Sequence, residues 1–284
     1  MARNSTLSFI IGLFGVVLLS SCFNLFPEGT DTFYNRSYGP HNRNKLDVFL
    51  PEERDTSTET VVLIHGGAWV AGDKGGIEFK DTRNLLLDAG YAVASMNYRY
   101  ACGDFRKQME DVDNALQYLV ANAEGWQISS SRFALIGVSA GGHLALLYGH
   151  NYDQNELVKT VISYVGPTDL TSSLFHQYAS NYGILWTLEE LVGNSFENDS
   201  AVYADASPLF HASNCPSLLI YGGSDDLVPK EQGIAMFDTL TANGVFTDTI
   251  VPAQGTHNVY GPNNMYKNQI ELEVEGWLQT HLNQ

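Results

Sequence analysis

Residues 133–147 read Phe133-Ala134-Leu135-Ile136-Gly137-Val138-Ser139-Ala140-Gly141-Gly142-His143-Leu144-Ala145-Leu146-Leu147. An apolar run of strand length enters Gly137-Val138-Ser139-Ala140-Gly141 and leaves it as a small-residue, leucine-rich segment of helical character. Strand, sharp turn with a central serine, then helix is the context that a G-x-S-x-G nucleophile elbow requires. Glycines on either side of the serine permit a turn tight enough to project its hydroxyl from the end of a sheet. The five residues alone recur by chance in unrelated chains. The reading therefore rests on their flanks and on what the rest of the chain supplies.

Outward from the elbow, strand and helix patterns alternate. Upstream, Lys45 to Pro51 alternates as a strand, and Val61-Val62-Leu63-Ile64 is a fully apolar run that enters His65-Gly66-Gly67-Ala68-Trp69. Phe79 to Ala89 reads as a helix stopping at Gly90, and Tyr91 to Tyr100 as a strand. Phe105, Met109, Val112, Leu116, Leu119 and Val120 fall at helical spacing. Downstream, Val158 to Val165, Pro216 to Tyr221 and Phe246 to Val251 read as strands. Glu231 to Leu240 and the region around Ile270 to Leu278 read as helices. Leu170 to Asn214 is the least regular stretch, and is expected to form a small cap or insert. This rhythm predicts an α/β fold with a mostly parallel central sheet covered by helices on both faces. Functional residues of such sheets gather at the carboxyl ends of the strands.

The 284 residues suit one large or two small domains, and 44% hydrophobic residues supply a sizeable core. A formal charge of −17 leaves no basic excess to neutralise phosphates, which excludes nucleic acid as a partner. None of the three cysteines forms a C-x-x-C pair or a zinc-spaced cluster, and no metal or cofactor is expected. Cys102 and Cys215 are candidates for a disulfide, a pairing the sequence leaves open.

The first residues have a different composition. Arg3 is a short basic lead, Leu7 to Leu19 is almost unbroken apolar, and the run ends in Leu19-Ser20-Ser21-Cys22. The last four residues resemble the lipobox of bacterial lipoproteins. The resemblance implies a signal peptide over residues 1–21, cleavage before Cys22, and lipid attachment at Cys22. The lipid would hold the protein at a membrane of the bacterial cell envelope without spanning it. Residues 22–34 are expected to form a tether and residues 35–284 the folded domain.

A serine hydroxyl needs a base to take its proton and a carboxylate to orient that base. Two adjacent carboxylates, Asp225 and Asp226, follow the strand ending at Tyr221, in Gly222-Gly223-Ser224-Asp225-Asp226-Leu227-Val228-Pro229; Asp225 is preferred. His257, in Gly255-Thr256-His257-Asn258 between the last strand and the last helix, is the base candidate. His143 lies inside the helix after the elbow, and His150, His176 and His211 precede the carboxylates. Oxyanion donors are expected from the Ala140 N–H and from Gly67 and Ala68, with Gly66 next, because preset backbone N–H groups need no rearrangement.

His65-Gly66-Gly67-Ala68-Trp69, Asn97-Tyr98-Arg99, Gly137 to His143, Gly222 to Pro229 and His257 together resemble the carboxylesterase and feruloyl-esterase-like branch of the α/β hydrolases. That branch is related to the hormone-sensitive-lipase group and to kynurenine formamidase. The resemblance covers residues 34 to 282. It implies the α/β-hydrolase fold, a triad of Ser139, Asp225 and His257, and oxyanion donors from the His65 segment. It also favours Asp225 over Asp226, because the family's acid stands three residues before the Val of Val-Pro. Tyr221 departs from the pattern, which commonly has His before the Gly, and Asp104 to Lys107 replaces a frequent Phe-Pro pair. The expectation is an esterase acting on small acyl esters or acylated carbohydrate. An amidase, formamidase or peptidase on the same triad, or a non-catalytic binding protein of this fold, are the alternatives.

Overall fold

A computed structural model describes residues 29–76, 79–261 and 264–282. Cys22 and the signal-peptide reading lie outside the described residues. Eight strands form one sheet in the order β1-β2-β4-β3-β5-β6-β7-β8. They are β1 (Asp31–Ser37), β2 (Lys45–Leu50), β3 (Thr60–Ile64), β4 (Ala92–Met96), β5 (Phe133–Val138), β6 (Val158–Tyr164), β7 (Ser217–Ile220) and β8 (Thr247–Ile250). Strands β1 and β2 run antiparallel, as do β2 and β4; from β4 through β3 to β8 every pairing is parallel.

The apolar strands are buried on both faces, and the period of two divides them between two cores. Val62 and Ile64 of β3 and Leu135 of β5 join one core. Val61 and Leu63, with Ala134, Ile136 and Val138, join the other. The first core is closed by α2 (Arg106–Trp126), α3 (Ala140–Leu147) and α7 (Glu231–Ala242), represented by Met109, Leu144 and Met236. The second is closed by α1 (Lys80–Asp88) and α8 (Lys267–His281), through Leu86, Leu87, Ile270 and Val274. At roughly 1.5–3 kcal/mol for each fully buried large apolar side chain, these two cores are the main favourable term of the fold.

Two boundaries depart from the sequence reading. Strand β1 begins at Asp31, inside the stretch expected to be tether, and pairs Asp31 with Leu50 and Ser37 with Lys45. It is an edge strand, so most of its side chains face solvent and its composition reads as polar linker. Phe33 nevertheless packs on Trp126 at 5.5 Å between ring centroids, and Tyr34 on Phe49 at 5.9 Å. The irregular stretch after β6 contains three short helices: α4 (Ser173–Asn181), α5 (Trp186–Val192) and α6 (Ser200–Asp205). Side chains of Ser172 and Asp199 cap the first and third by accepting from the Phe175 and Val202 N–H groups. Helices of six to nine residues are too short to show a clear period in sequence. Cys102 is exposed and Cys215 is buried, and both are free thiols.

Candidate active site

The turn from β5 into α3 holds Ser139 at φ 54°, ψ −118°, a left-handed conformation that costs a residue with a Cβ roughly 1–3 kcal/mol. Neighbouring backbone holds it there. The Ser139 N–H donates to the Tyr164 carbonyl at 2.7 Å, and the Ser139 carbonyl accepts from the His143 N–H at 3.0 Å. A Cβ on Gly137 would overlap the Gly141 carbonyl, and one on Gly141 would overlap the Ile64 carbonyl at the end of β3. Both flanking glycines are thus demanded by close backbone approach.

The loops after β7 and β8 bring in the partners. Gly222 lies so close to the Gly255 carbonyl that a Cβ there would stand 2.5 Å from it, and the Ser224 N–H donates to the Gly255 carbonyl at 2.8 Å. That clasp joins Asp225 to His257, 32 positions apart. His257 Nε2 stands 3.1 Å from Ser139 Oγ, and His257 Nδ1 stands 2.8 Å from Asp225 Oδ2. The other Asp225 oxygen accepts from the Leu227 and Val228 N–H groups at 2.9 and 3.0 Å. The Asp225 side chain is fully buried, whereas Asp226 is exposed and its carboxylate bonds the Tyr182 hydroxyl, raising that phenol's pKa. With Oδ1 occupied by backbone donors, Oδ2 fixes the proton of His257 on Nδ1 and leaves Nε2 free to accept from serine.

The fourth contribution is the loop after β3. Gly66 lies against Ser139: a Cβ on it would stand 3.5 Å from that of Ser139. The N–H groups of Gly66, Gly67 and Ala68 have no hydrogen-bond partner among the described residues, and the three residues line the same cavity as Ser139. Ala140 is the first residue of α3, so its N–H has no partner within the helix. The structure therefore brings Gly66, Gly67, Ala68, Ala140, Ser139, Asp225 and His257 together.

Two buried histidines brace this site. Trp69 donates its indole N–H to His143 Nδ1 at 3.1 Å, and His143 Nε2 reaches the Ala206 carbonyl of the cap at 2.7 Å. Burial pushes the His143 pKa down to about 4, so it is neutral and carries its proton on Nε2. His65 is likewise pushed down to about 4, chiefly by burial, and stacks on Tyr98 at 4.3 Å. The departure at Tyr221 is absorbed by its hydroxyl, which donates to the Gly166 carbonyl.

A cavity of about 650 Å³ opens beside Ser139. Its walls include Trp69, Val70, Phe175, Ile184, Trp186 and Tyr260. Five of these come from the loop after β3 and from the cap. Trp186 is 53% exposed and stands on the first turn of α5. Sequence reading placed Trp186 in the irregular stretch without giving it a role at the site; it missed Arg43, whose contacts are made only in the folded chain.

Strand order, elbow and the three loops that converge on it define an α/β hydrolase. The chain matches the BD-FAE family over residues 46–240 and belongs to that family. It is similar to a probable isoprenylcysteine alpha-carbonyl methylesterase of Oryza sativa subsp. japonica, 27% identical over 78% of this chain and 55% of that protein. It is also similar to LipM, a probable carboxylic ester hydrolase of Mycobacterium tuberculosis, 28% identical over 72% of this chain and 50% of the relative. The chain spans about half the length of these two relatives. A truncated carbohydrate esterase from gut microbiota shares the fold, with a TM-score of 0.73 and 23% identity over 88% of this chain and 96% of that one.

Proposed function

We propose that this protein is a serine hydrolase of the bacterial cell envelope that cleaves carboxylic esters, with Ser139 as nucleophile, His257 as general base and acid, and Asp225 as the orienting carboxylate. The observation that carries the reading is the continuous chain Asp225 Oδ2, His257 Nδ1, His257 Nε2, Ser139 Oγ, at 2.8 and 3.1 Å, opening on an apolar cavity. Ser139 Oγ attacks the ester carbonyl as its proton passes to His257 Nε2. The negative oxygen of the tetrahedral intermediate is met by N–H groups of Gly67, Ala68 and Ala140, with Gly66 alongside. Collapse breaks the ester C–O bond, and His257 returns the proton to the departing alcohol. Water then repeats the sequence on the acyl-Ser139 ester, releasing the acid and restoring the serine.

The curated relatives named for ester hydrolysis support this chemistry over the amidase reading. Apolar cavity walls suit the acyl group, whether from a small ester or from an acylated carbohydrate whose polar part stays outside. The lipobox at Leu19 to Cys22 supports a lipid anchor on Cys22 and hence a membrane-surface location. The test is hydrolysis of nitrophenyl esters of graded chain length, beside acetylated xylan and a feruloylated sugar, with fluorophosphonate labelling in parallel. Ester turnover and labelling that both vanish in Ser139→Ala are expected. Labelling without ester turnover, but with turnover of anilides, would move the reading to an amidase.

A further inference from the structure

The loop after β3 needs an external brace. Gly67, Ala68 and Trp69 follow one another at φ 114°, 48° and 61°, three left-handed residues in succession, two of which carry a Cβ. His143 holds the Trp69 end, as described above. The other end is held by Arg43, from the loop before β2. Its Nε donates to the Tyr98 carbonyl at 2.8 Å. Its Nη2 donates to the Gly72 carbonyl at 3.0 Å and lies 3.2 Å from His65 Nε2. The guanidinium is stacked over Tyr100, 3.7 Å from the ring centroid, and the Tyr100 hydroxyl donates to the same Gly72 carbonyl at 2.8 Å.

Arginine has donors only. Beside it, His65 Nε2 must be the acceptor, so the ring proton sits on Nδ1. That proton is donated to the Gly66 carbonyl, 2.7 Å away. The described peptide bonds are all trans, so the C=O of Gly66 and the N–H of Gly67, which share one peptide plane, point in opposite directions. Holding the Gly66 oxygen against His65 therefore turns the Gly67 N–H away from His65, and Gly66 and Gly67 line the same cavity as Ser139.

We propose that Arg43 is a positioning residue for the oxyanion donors: by fixing the His65 tautomer and tying His65 to the Gly72 carbonyl, it sets the Gly66–Gly67 peptide plane. This rests on the ester-hydrolase reading above. Arg43 touches no reacting atom. Its effect belongs to the transition state, where the oxyanion develops, and not to ground-state binding in the apolar cavity.

The experiment measures kcat and KM on nitrophenyl butyrate for the wild type, Arg43→Ala and Arg43→Lys, with active sites counted by fluorophosphonate titration and Tm recorded. Binding of butylboronic acid, which places a negative oxygen where the oxyanion forms, is measured beside it. Arg43→Ala is expected to lower kcat per active site by about 30- to 300-fold and to weaken the boronate in parallel, with KM within threefold. Arg43→Lys keeps the charge but offers one ammonium where a fork and a flat stacking face are needed, and is expected to fold and to lose at least tenfold in kcat. A kcat per active site within threefold of wild type in Arg43→Lys, or boronate affinity unchanged in either variant, would overturn the proposal while leaving ester hydrolysis intact. A wild type that is labelled by neither fluorophosphonate nor ester would overturn both together.

Discussion

Replacing Asp225 with asparagine alters one atom and reverses a hydrogen-bond chain. Asp225 Oδ1 accepts two backbone N–H groups, from Leu227 and Val228, at 2.9 and 3.0 Å. In the variant those donors select the amide oxygen, because an amide nitrogen there would oppose two donors. The amide NH2 is then left facing His257 Nδ1, where Oδ2 stood at 2.8 Å. A donor at that place demands an unprotonated Nδ1, so the ring proton moves to Nε2 and faces Ser139 Oγ across 3.1 Å. The imidazole can no longer take the serine's proton. Loss of the correct tautomer costs on the order of 10⁴ in kcat, about 5.5 kcal/mol at the transition state. The fold keeps its shape and both backbone donors keep an acceptor, so stability changes by about 1 kcal/mol or less. Asp226→Asn is the control: its side chain is exposed and bonds Tyr182, and kcat is expected within about tenfold. The assay is kcat on a nitrophenyl ester with Tm measured on the same samples. If Asp226→Asn is the severe variant and Asp225→Asn the mild one, the tautomer argument is wrong for this site.

Ser139→Ala is expected to stay folded and to lose roughly four to six orders of magnitude in kcat; activity within tenfold of wild type would sink the nucleophile assignment. Gly141→Ala drives a Cβ into the Ile64 carbonyl, so it should lower Tm by well over 5 °C or prevent folding, whereas Gly276→Ala, with open space on α8, should leave Tm unchanged or raise it slightly. His65, His143 and His150 are each pushed down to about 4 by burial, against an ordinary value near 6.5. Between those values the unfolded chain binds protons that the folded chain does not, so stability falls as pH drops through the window, by on the order of 1 kcal/mol per pH unit per histidine. Urea midpoints at pH 7.5 and 5 check this, and an unchanged midpoint refutes it. Cys22→Ser should move the protein out of the membrane fraction; unchanged membrane association would mean the lipobox reading is mistaken.

Local sequence determined the parts of this protein that depend on local backbone geometry. The elbow was legible because the turn at Ser139 admits only glycine at Gly137 and Gly141, and because a buried parallel strand leaves a continuous apolar run. The same logic exposed the loop at His65 to Trp69, since free N–H groups and left-handed residues call for glycines at a strand end. Long-range packing decided the rest. Asp225 and Asp226 follow the same strand, and the preference for Asp225 rested on its spacing to Val228-Pro229; the clasp of Gly222 on Gly255 is what aims Asp225 at His257 and leaves Asp226 exposed. Strand β1 reads as linker because an edge strand buries little, and its pairing partner lies on another segment. Cys102 and Cys215 looked alike in the chain, yet one is exposed and the other buried. Arg43 carries no motif at all: its side chain meets the carbonyls of Gly72 and Tyr98 and the rings of His65 and Tyr100, all on distant segments, which no periodicity encodes. Backbone-carbonyl contacts of this kind leave no mark on residue type at the accepting end, so tertiary structure alone discloses them.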